Sequence, residues 1–277
     1  MANTYKRLKQ VLFGRPLPSE RLEHERLNKK TALAVLSSDA ISSVAYATDQ
    51  ILIVVAVLGT AAAVNYVVPI SGVIVGLLVL VGLSYRQTIF AYPNGGGSYT
   101  VARENLGTGA GLVAAAALLT DYIMTVAVSI AGGIAAITSA YHNLIPHTVL
   151  LCVASIALLA IVNLRGVRES GLAFSVPTYV FIIMMLALIA YGGYQAFLGA
   201  GPANGAGLVR VDKVSAQQHG LLAAPTGFAL GYLLIRGFAE GCAAMTGTEA
   251  ISNGVMAFKQ PAQKNAATTL GMMVTIL

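Results

Sequence analysis

Leu36-Ser37-Ser38-Asp39-Ala40-Ile41-Ser42-Ser43-Val44-Ala45-Tyr46 sits inside an apolar run that extends from Thr31 to Leu58. A run of that length can cross a bilayer, whose hydrocarbon core of about 30 Å takes roughly 20 helical residues. Serine and aspartate side chains compete for backbone hydrogen bonds and are poor material for a continuous helix. The stretch therefore predicts a helix interrupted around Asp39, with Asp39, Ser42 or Ser43, and Tyr46 sharing one face once the helix resumes. Serines alone would read equally well as a close helix contact, because small residues let membrane helices approach each other. The acid tips the reading toward a binding site. At the centre of a span it costs about 2.5 to 3.5 kcal/mol, so it needs a partner, a proton, a cation or water.

The rest of the chain has the same character. Of its 277 residues, 56% are hydrophobic and only 10% charged, which excludes both an ordinary soluble domain and a disordered chain. Further apolar runs at Tyr66–Leu83, Gly111–Ser139, Thr148–Val162, Leu172–Tyr191 and Thr226–Asn253 bring the spans to six, and a seventh begins near Ala266. The third and sixth runs are longer than a bilayer requires, which predicts tilt or a break. An all-α polytopic membrane protein follows, with a basic segment over residues 1–30 and a transmembrane domain over 31–277. The chain reads as the front part of a longer protein.

The net charge of +6 raises the question of nucleic acid, and the positions of the basic residues answer it. Lys6, Arg7, Lys9, Arg15, Arg21, Arg26, Lys29 and Lys30 precede the first span, and alternate loops add Arg86, Arg103, Arg165, Arg168, Lys259 and Lys264. Arg210 and Lys213 fall on the opposite side and Arg236 within a span. The asymmetry places the N-terminus in the cytoplasm and makes the lipid bilayer, with no nucleic acid, the partner of this charge. Tyr5, Leu8 and Leu12 share a helical face that suits the inner leaflet. No secretory signal peptide is evident. Cys152 and Cys242 are too few for a disulfide framework and read as small buried hydrophobes. With no Trp, the interfacial belt falls to Tyr66, Tyr85, Tyr92, Tyr141, Tyr191 and Tyr194, whereas Tyr46, Tyr122, Tyr179 and Tyr232 lie deeper and need hydrogen-bond partners.

Other acids lie within the spans. Asp49 joins Asp39 in the first. In the third, Asp121, Thr125 and Ser129 recur at intervals of four with Tyr122 beside them, a carboxylate and hydroxyl stripe suited to a hard, weakly hydrated cation. In the sixth, Gly237-Phe238-Ala239-Glu240-Gly241-Cys242-Ala243-Ala244-Met245-Thr246-Gly247-Thr248-Glu249 carries glycines and acids that predict unwinding. Arg236 and Glu240, one turn apart, suit a structural ion pair, and Glu249 has no such partner nearby. Ser38-Asp39-Ala40-Ile41-Ser42-Ser43 also matches Thr248-Glu249-Ala250-Ile251-Ser252-Asn253 class for class. Interrupted helices of opposite direction, five spans apart, are what an inverted-repeat transporter places around a midplane site. The Pro93-Asn94-Gly95-Gly96-Gly97-Ser98-Tyr99 loop lacks the lysine and strand of a phosphate loop and predicts a hinge or tight turn.

On these breaks and the Tyr92–Tyr99 loop, the chain resembles the amino acid-polyamine-organocation (APC) superfamily. Through Leu36–Tyr46, Asp121–Ser129 and Thr246–Asn253 it is similar, more narrowly, to the KimA-type bacterial potassium-proton symporters. The resemblance implies the first half of a LeuT-like five-plus-five inverted-repeat transporter, with broken first and sixth helices. It implies that Asp39, Tyr46, Asp121, Tyr122, Thr125, Thr246 and Glu249 surround transported potassium. Ser42 and Ser129 join them from the residue pattern, and Asp39, Asp121 and Glu249 are the proton-coupling candidates. No cofactor is implied beyond transported K+ and H+. The family's C-terminal domain, which binds cyclic di-AMP and helps homodimerisation, would lie beyond this stretch.

A neutral amino-acid permease would offer backbone amides of a glycine-rich first break to the substrate carboxylate. Asp39 would instead repel that carboxylate and attract a cation, which leaves a cationic amino acid or polyamine permease as the alternative. An enzyme is not expected: His24, His142, His147 and His219 fall in the tail or external segments with no catalytic or ligand spacing. The expectation is proton-coupled potassium import by a multi-pass protein of the bacterial plasma membrane.

Overall fold

The computed structural model describes residues 26–58, 60–164, 167–197 and 227–277. The first apolar run forms two helices, α1 (Lys29–Leu36) and α2 (Ser38–Val55), hinged at Ser37 and followed by a 3-10 turn, Ala56–Leu58. Asn28 caps α1 by accepting the Thr31 amide at 2.8 Å, satisfying one of the donors that a helix start leaves free. At the hinge the Ser37 amide still reaches Leu33 O (3.0 Å), and the Ile41 amide reaches Ser37 O (2.9 Å). Among the described residues, no backbone bond ties the Ser38, Asp39 or Ala40 amides to the carbonyls of α1. Side chains repair part of that loss. Ser38 Oγ donates to Val35 O at 3.1 Å, and Thr178 Oγ1, from a distant helix, donates to Ala34 O at 3.3 Å.

The chain continues through α3 (Thr60–Ala91), α4 (Ser98–Leu106), α5 (Thr108–Ala140), α6 (Thr148–Leu164) and α7 (Val167–Phe197). The long third run is unbroken: α5 has 33 residues, about 50 Å at 1.5 Å per residue, so it must tilt or project beyond the hydrocarbon. The sixth run does break. It comprises α8 (Phe228–Gly241), a 3-10 turn at Cys242–Met245, a non-helical link and the short α9 (Ala250–Asn253), before a 3-10 turn at Val255–Ala257 and α10 (Ala262–Ile276). Asn65–Ala91, Thr108–Ala140, His142–Leu164, Phe174–Gln195 and Phe228–Asn253 are long and apolar enough to cross a membrane. α6 has no buried residue although it is strongly apolar, a surface suited to lipid rather than water.

The two broken helices run antiparallel and in contact. A side chain added at Gly237 would meet Val54, one at Gly241 would meet Ile51, and one at Gly247 would meet Asp39 and the Ala40 amide. Ala47, Ile51 and Val55 of α2 pack with Ile70 and Ile74 of α3 and with Ala244. A second core gathers Leu33, Ile89, Ile251, Phe258, Leu270 and Met273 where α1, α3 and α10 converge.

Contacts put the segment before α1, the link before α10, the glycine loop and the start of α7 on one side. The Leu27 amide donates to Ala257 O (2.7 Å) and the Lys259 amide to Leu27 O (3.0 Å). The Gly96 amide donates to Ser252 O at 3.3 Å, and Gly171 abuts Val35 and Thr31. The glycine loop is thus a docking pad for α9, not a free hinge. Gly95, with φ of 93°, lies against Asn253 O, and Gly97 lies against the Asn253 side chain.

Gly247 adopts φ of 80°, and a Cβ there would lie 2.7 Å from Asp39 Oδ2 and 2.9 Å from the Ala40 amide nitrogen. Gly247→Ala in the full-length transporter should therefore cost roughly 1 to 3 kcal/mol, read as a lower Tm in detergent. Gly271→Ala, with nothing within 4 Å, should leave Tm unchanged or slightly raised.

Candidate functional site

Asp39 occupies the first turn of α2, where the helix dipole favours a negative charge. Its Oδ1 accepts from Ser43 Oγ at 3.3 Å, and Ser43 Oγ lies 2.6 Å from the Tyr46 hydroxyl. The spacing of three, four and seven thus produces a real chain of oxygens, with the fully buried Ser43 as its middle link. Ser42 turns differently and donates to Asp39 O at 2.9 Å. The sequence left Ser42 and Ser43 as alternatives; they divide the work, since Ser42 lines a cavity and Ser43 braces the carboxylate.

That cavity, about 470 Å³, lies between α2 and α5. Ser38, Asp39, Ser42, Tyr122, Thr125 and Ser129 supply its polar wall, and Val126, Ile130 and Leu159 its apolar one. Elsewhere on α5, Thr120, Thr138 and Ser139 donate to carbonyls of their own helix. Among the described residues Thr125 and Ser129 make no such bond, so their hydroxyls remain free to face the cavity.

A second cavity, about 370 Å³, includes Asp121, Thr246 and Glu249 in its lining. Glu249 precedes α9 and is only 6% exposed, and its Oε1 has no hydrogen-bond partner among the described residues. The Tyr122 hydroxyl accepts from Asn253 Nδ2 at 3.1 Å and also faces the Glu249 carboxylate. Asp39 lies close enough to Glu249 and Asp121 for their charges to interact, as do Glu249 and Asp121. Among the described residues no Lys or Arg lines either cavity. Among the described residues the ion pair is elsewhere: Arg236 Nε lies 3.9 Å from Glu240 Oε1 on an exposed face of α8, where the sequence placed it. Three carboxylates with free hydroxyls and no protein cation form a site that attracts positive charge and repels negative.

The structure thus brings Asp39, Ser42, Tyr122, Thr125 and Ser129 to one cavity and Asp121, Thr246 and Glu249 to its neighbour, with α5 contributing to both. Tyr46 lines neither and acts through Ser43. Asp49 is exposed on α2 and joins no cavity. Of the deep tyrosines, Tyr179 donates to Lys30 O at 2.8 Å and so pins α7 to α1, while Tyr232 is 57% exposed. The sequence patterns give neither Asn253 nor Tyr85 a place at the site. Tyr85 was read as interfacial because the second apolar run was ended at Leu83; α3 continues to Ala91, which places Tyr85 inside the helix and against the second cavity. Tyr5, Leu8, Leu12, His24, Arg165, Arg210, Lys213 and His219 lie outside the described residues.

The chain is similar to known proteins over nearly its whole length. The model of the family described as amino acid permease matches residues 27–277. The potassium transporter KimA of Bacillus subtilis (strain 168) is 45% identical over 274 residues, which is 99% of this chain and 43% of that protein. The chain therefore spans less than half the length of that curated relative. Both the family description and the name of that relative are those of transporters, not enzymes. A multi-pass helical chain with two interrupted, antiparallel helices and a family match over nearly its whole length belongs to the amino acid permease family of the APC superfamily.

Proposed function

We propose that the full-length protein carrying this sequence imports potassium together with protons by alternating access. The single observation that carries the reading is the meeting of Asp39, Asp121 and Glu249 around the two breaks without a protein cation to neutralise them. A carboxylate withdrawn from water keeps its charge only beside a cation and otherwise takes a proton, so cation and proton can compete for one group. Asp39, Tyr122, Thr125 and Ser129 supply oxygens on one side of α5, and Asp121, Thr246 and Glu249 supply them on the other. Tyr46 holds Asp39 through Ser43. Similarity to a relative named as a potassium transporter points the same way.

A cationic amino acid or polyamine is the second reading, favoured by the family description and by the apolar wall of Val126, Ile130 and Leu159, which could pack a methylene chain. The protein is assigned to the bacterial plasma membrane. We place its N-terminus in the cytoplasm on the charge asymmetry of the sequence, with Lys259 beside Leu27 in the structure.

In vesicles holding the full-length transporter, Asp39→Asn and Asp121→Asn should lower rubidium uptake at least tenfold, and Asp49→Asn should leave it within twofold. Unchanged uptake in both site variants would sink the potassium assignment, while saturable arginine or polyamine uptake without rubidium flux would establish the alternative. Glu249→Gln removes a buried charge whose Oε1 lacks a partner. It should raise Tm in potassium-free buffer by about 2 to 4 °C, equivalent to about 1 kcal/mol, and abolish the stabilisation that potassium gives the wild type. A lowered Tm in potassium-free buffer would mean that the carboxylate is satisfied in the folded protein.

A further inference from the structure

Five basic residues gather where the segment before α1 meets the link before α10. The Leu27 amide donates to Ala257 O at 2.7 Å and the Lys259 amide to Leu27 O at 3.0 Å, so Arg26 and Lys259 adjoin one backbone bridge. Asn265 Nδ2 donates to Lys259 O at 2.7 Å, which holds Lys264, its neighbour in α10, close to the same bridge. Lys29 and Lys30 open α1 two residues further on. Arg26 is half-buried and the four lysines are exposed. Backbone and side-chain bonds thus fix the anchor points of five like charges, which repel one another more strongly the closer they are held. Among the described residues nothing offsets this: no acid occupies the first turn of α1 or α10, and none of the five makes an ion pair.

The depth of the cluster says what can offset it. Gly171 abuts Thr31 and Leu27, and it lies one helical turn before Phe174, where the membrane-crossing stretch of α7 begins. One turn is about 5 Å along the axis, and the headgroup layer outside the hydrocarbon is about 5 to 7 Å deep. Tyr179, inside that stretch, reaches back to donate to Lys30 O at 2.8 Å. The start of α1 is therefore held at the edge of the hydrocarbon, at the level of lipid phosphates. Met256, 55% exposed beside Ala257, gives the acyl end of a lipid an apolar neighbour that a soluble anion would not use. Orienting a membrane protein requires only that positive residues be numerous on one side and asks nothing of their contacts. Three segments that bring their charges to one bridge at headgroup depth meet a further requirement, that of a compact anion.

We propose that Arg26, Lys29, Lys30, Lys259 and Lys264 form a binding site for the phosphate headgroup of an anionic glycerophospholipid, on the membrane surface of the Leu27 side. Ammonium and guanidinium groups donate charge-assisted hydrogen bonds to phosphate oxygens, and basic clusters next to a span are drawn to anionic lipid. A lipid whose headgroup also carries a quaternary ammonium brings a positive charge into the cluster and is disfavoured there. The bound lipid joins the segment before α1 to the start of α10, two parts of the chain that otherwise meet through the Leu27 bridge. The proposal goes beyond the transport reading and does not depend on which cargo the protein carries.

The test uses the full-length protein, freed of endogenous lipid in a neutral detergent and titrated with dioleoylphosphatidylglycerol or dioleoylphosphatidylcholine. Phosphatidylglycerol should raise Tm by at least 3 °C and remain bound in native mass spectra, while phosphatidylcholine should raise Tm by less than 1 °C. Equal increments from the two lipids would overturn the proposal in the wild type alone, whatever the variants do. An equal increment from 10 mM inorganic phosphate without lipid would reassign the cluster to a soluble anion and overturn the lipid. Combining Lys259→Gln with Lys264→Gln should reduce the phosphatidylglycerol increment to below 1 °C. Combining Lys259→Arg with Lys264→Arg, which keeps the charge, should preserve it, as should Arg86→Gln with Arg103→Gln, which removes basic residues of α3 and α4. An increment that survives the glutamine pair at Lys259 and Lys264, or that is lost equally in the Arg86 and Arg103 pair, would overturn the location.

Discussion

A bilayer offers peptide groups nothing to bond with, so each interruption of a spanning helix has to be satisfied from within the protein. In this fold that requirement joins residues far apart in the chain. The carbonyls released at Ser37 are met by Ser38 and by Thr178, while the backbone of Gly247 closes over Asp39 and the Ala40 amide. The second break is held in turn by the glycine loop, through Gly96 and Ser252. Each break therefore depends on segments from elsewhere, and the site lies where those dependences cross. A single Cβ at Gly247 would disturb both breaks at once, because it would meet both the Asp39 carboxylate and the Ala40 amide.

The same medium makes charge expensive, which explains why the acids are few and where they lie. Glu240 has Arg236 on its own helix, and the pair is complete without further help. Among the described residues Asp39, Asp121 and Glu249 have no such neighbour and act on one another. Their hydrogen bonds help only in part: Ser43 braces one oxygen of Asp39, and Oε1 of Glu249 has none among the described residues. A cluster of like charges kept in this state is a cost unless something positive visits it or a proton neutralises it, which is the constraint on which the proposed function rests.

Much of the fold was legible because composition marks it directly. Serines around Asp39 and glycines around Glu249 disfavour a continuous helix whatever surrounds them, and apolar run length marks the spans. The hinge itself fell at Ser37, since its position depends on Thr178, a helix away, offering a hydroxyl to Ala34 O. Periodicity put Asp121, Thr125 and Ser129 on one stripe, yet that stripe contributes to two cavities, because partners on α2 and beyond α8 approach α5 from different directions. Tyr85 was hidden for a related reason: polar residues after Leu83 read as the end of a span, whereas α3 continues through them to Ala91. Local chemistry is written in the sequence, and the choice among neighbours is made by packing.

On the proposed transport reading, the direction of the hydrogen bonds bears on the class of cargo. Ser42 spends its proton on Asp39 O and Ser43 is engaged between Asp39 and Tyr46, while Tyr122 accepts from Asn253. Ser42 therefore turns lone pairs rather than a proton toward the cavity, beside a carboxylate that can only accept while ionised. A zwitterion would bring a carboxylate of its own into the field of Asp39, Asp121 and Glu249, whereas a cation brings no negative charge for them to repel. Among cations, a guanidinium asks for a planar pair of acceptors in a fixed fork. The carboxylates are instead divided between two cavities, and one oxygen of Asp39 is already bonded to Ser43. A spherical ion makes no demand on direction and can pass from one set of oxygens to the next, which is the geometry that two adjoining, acceptor-rich cavities serve best.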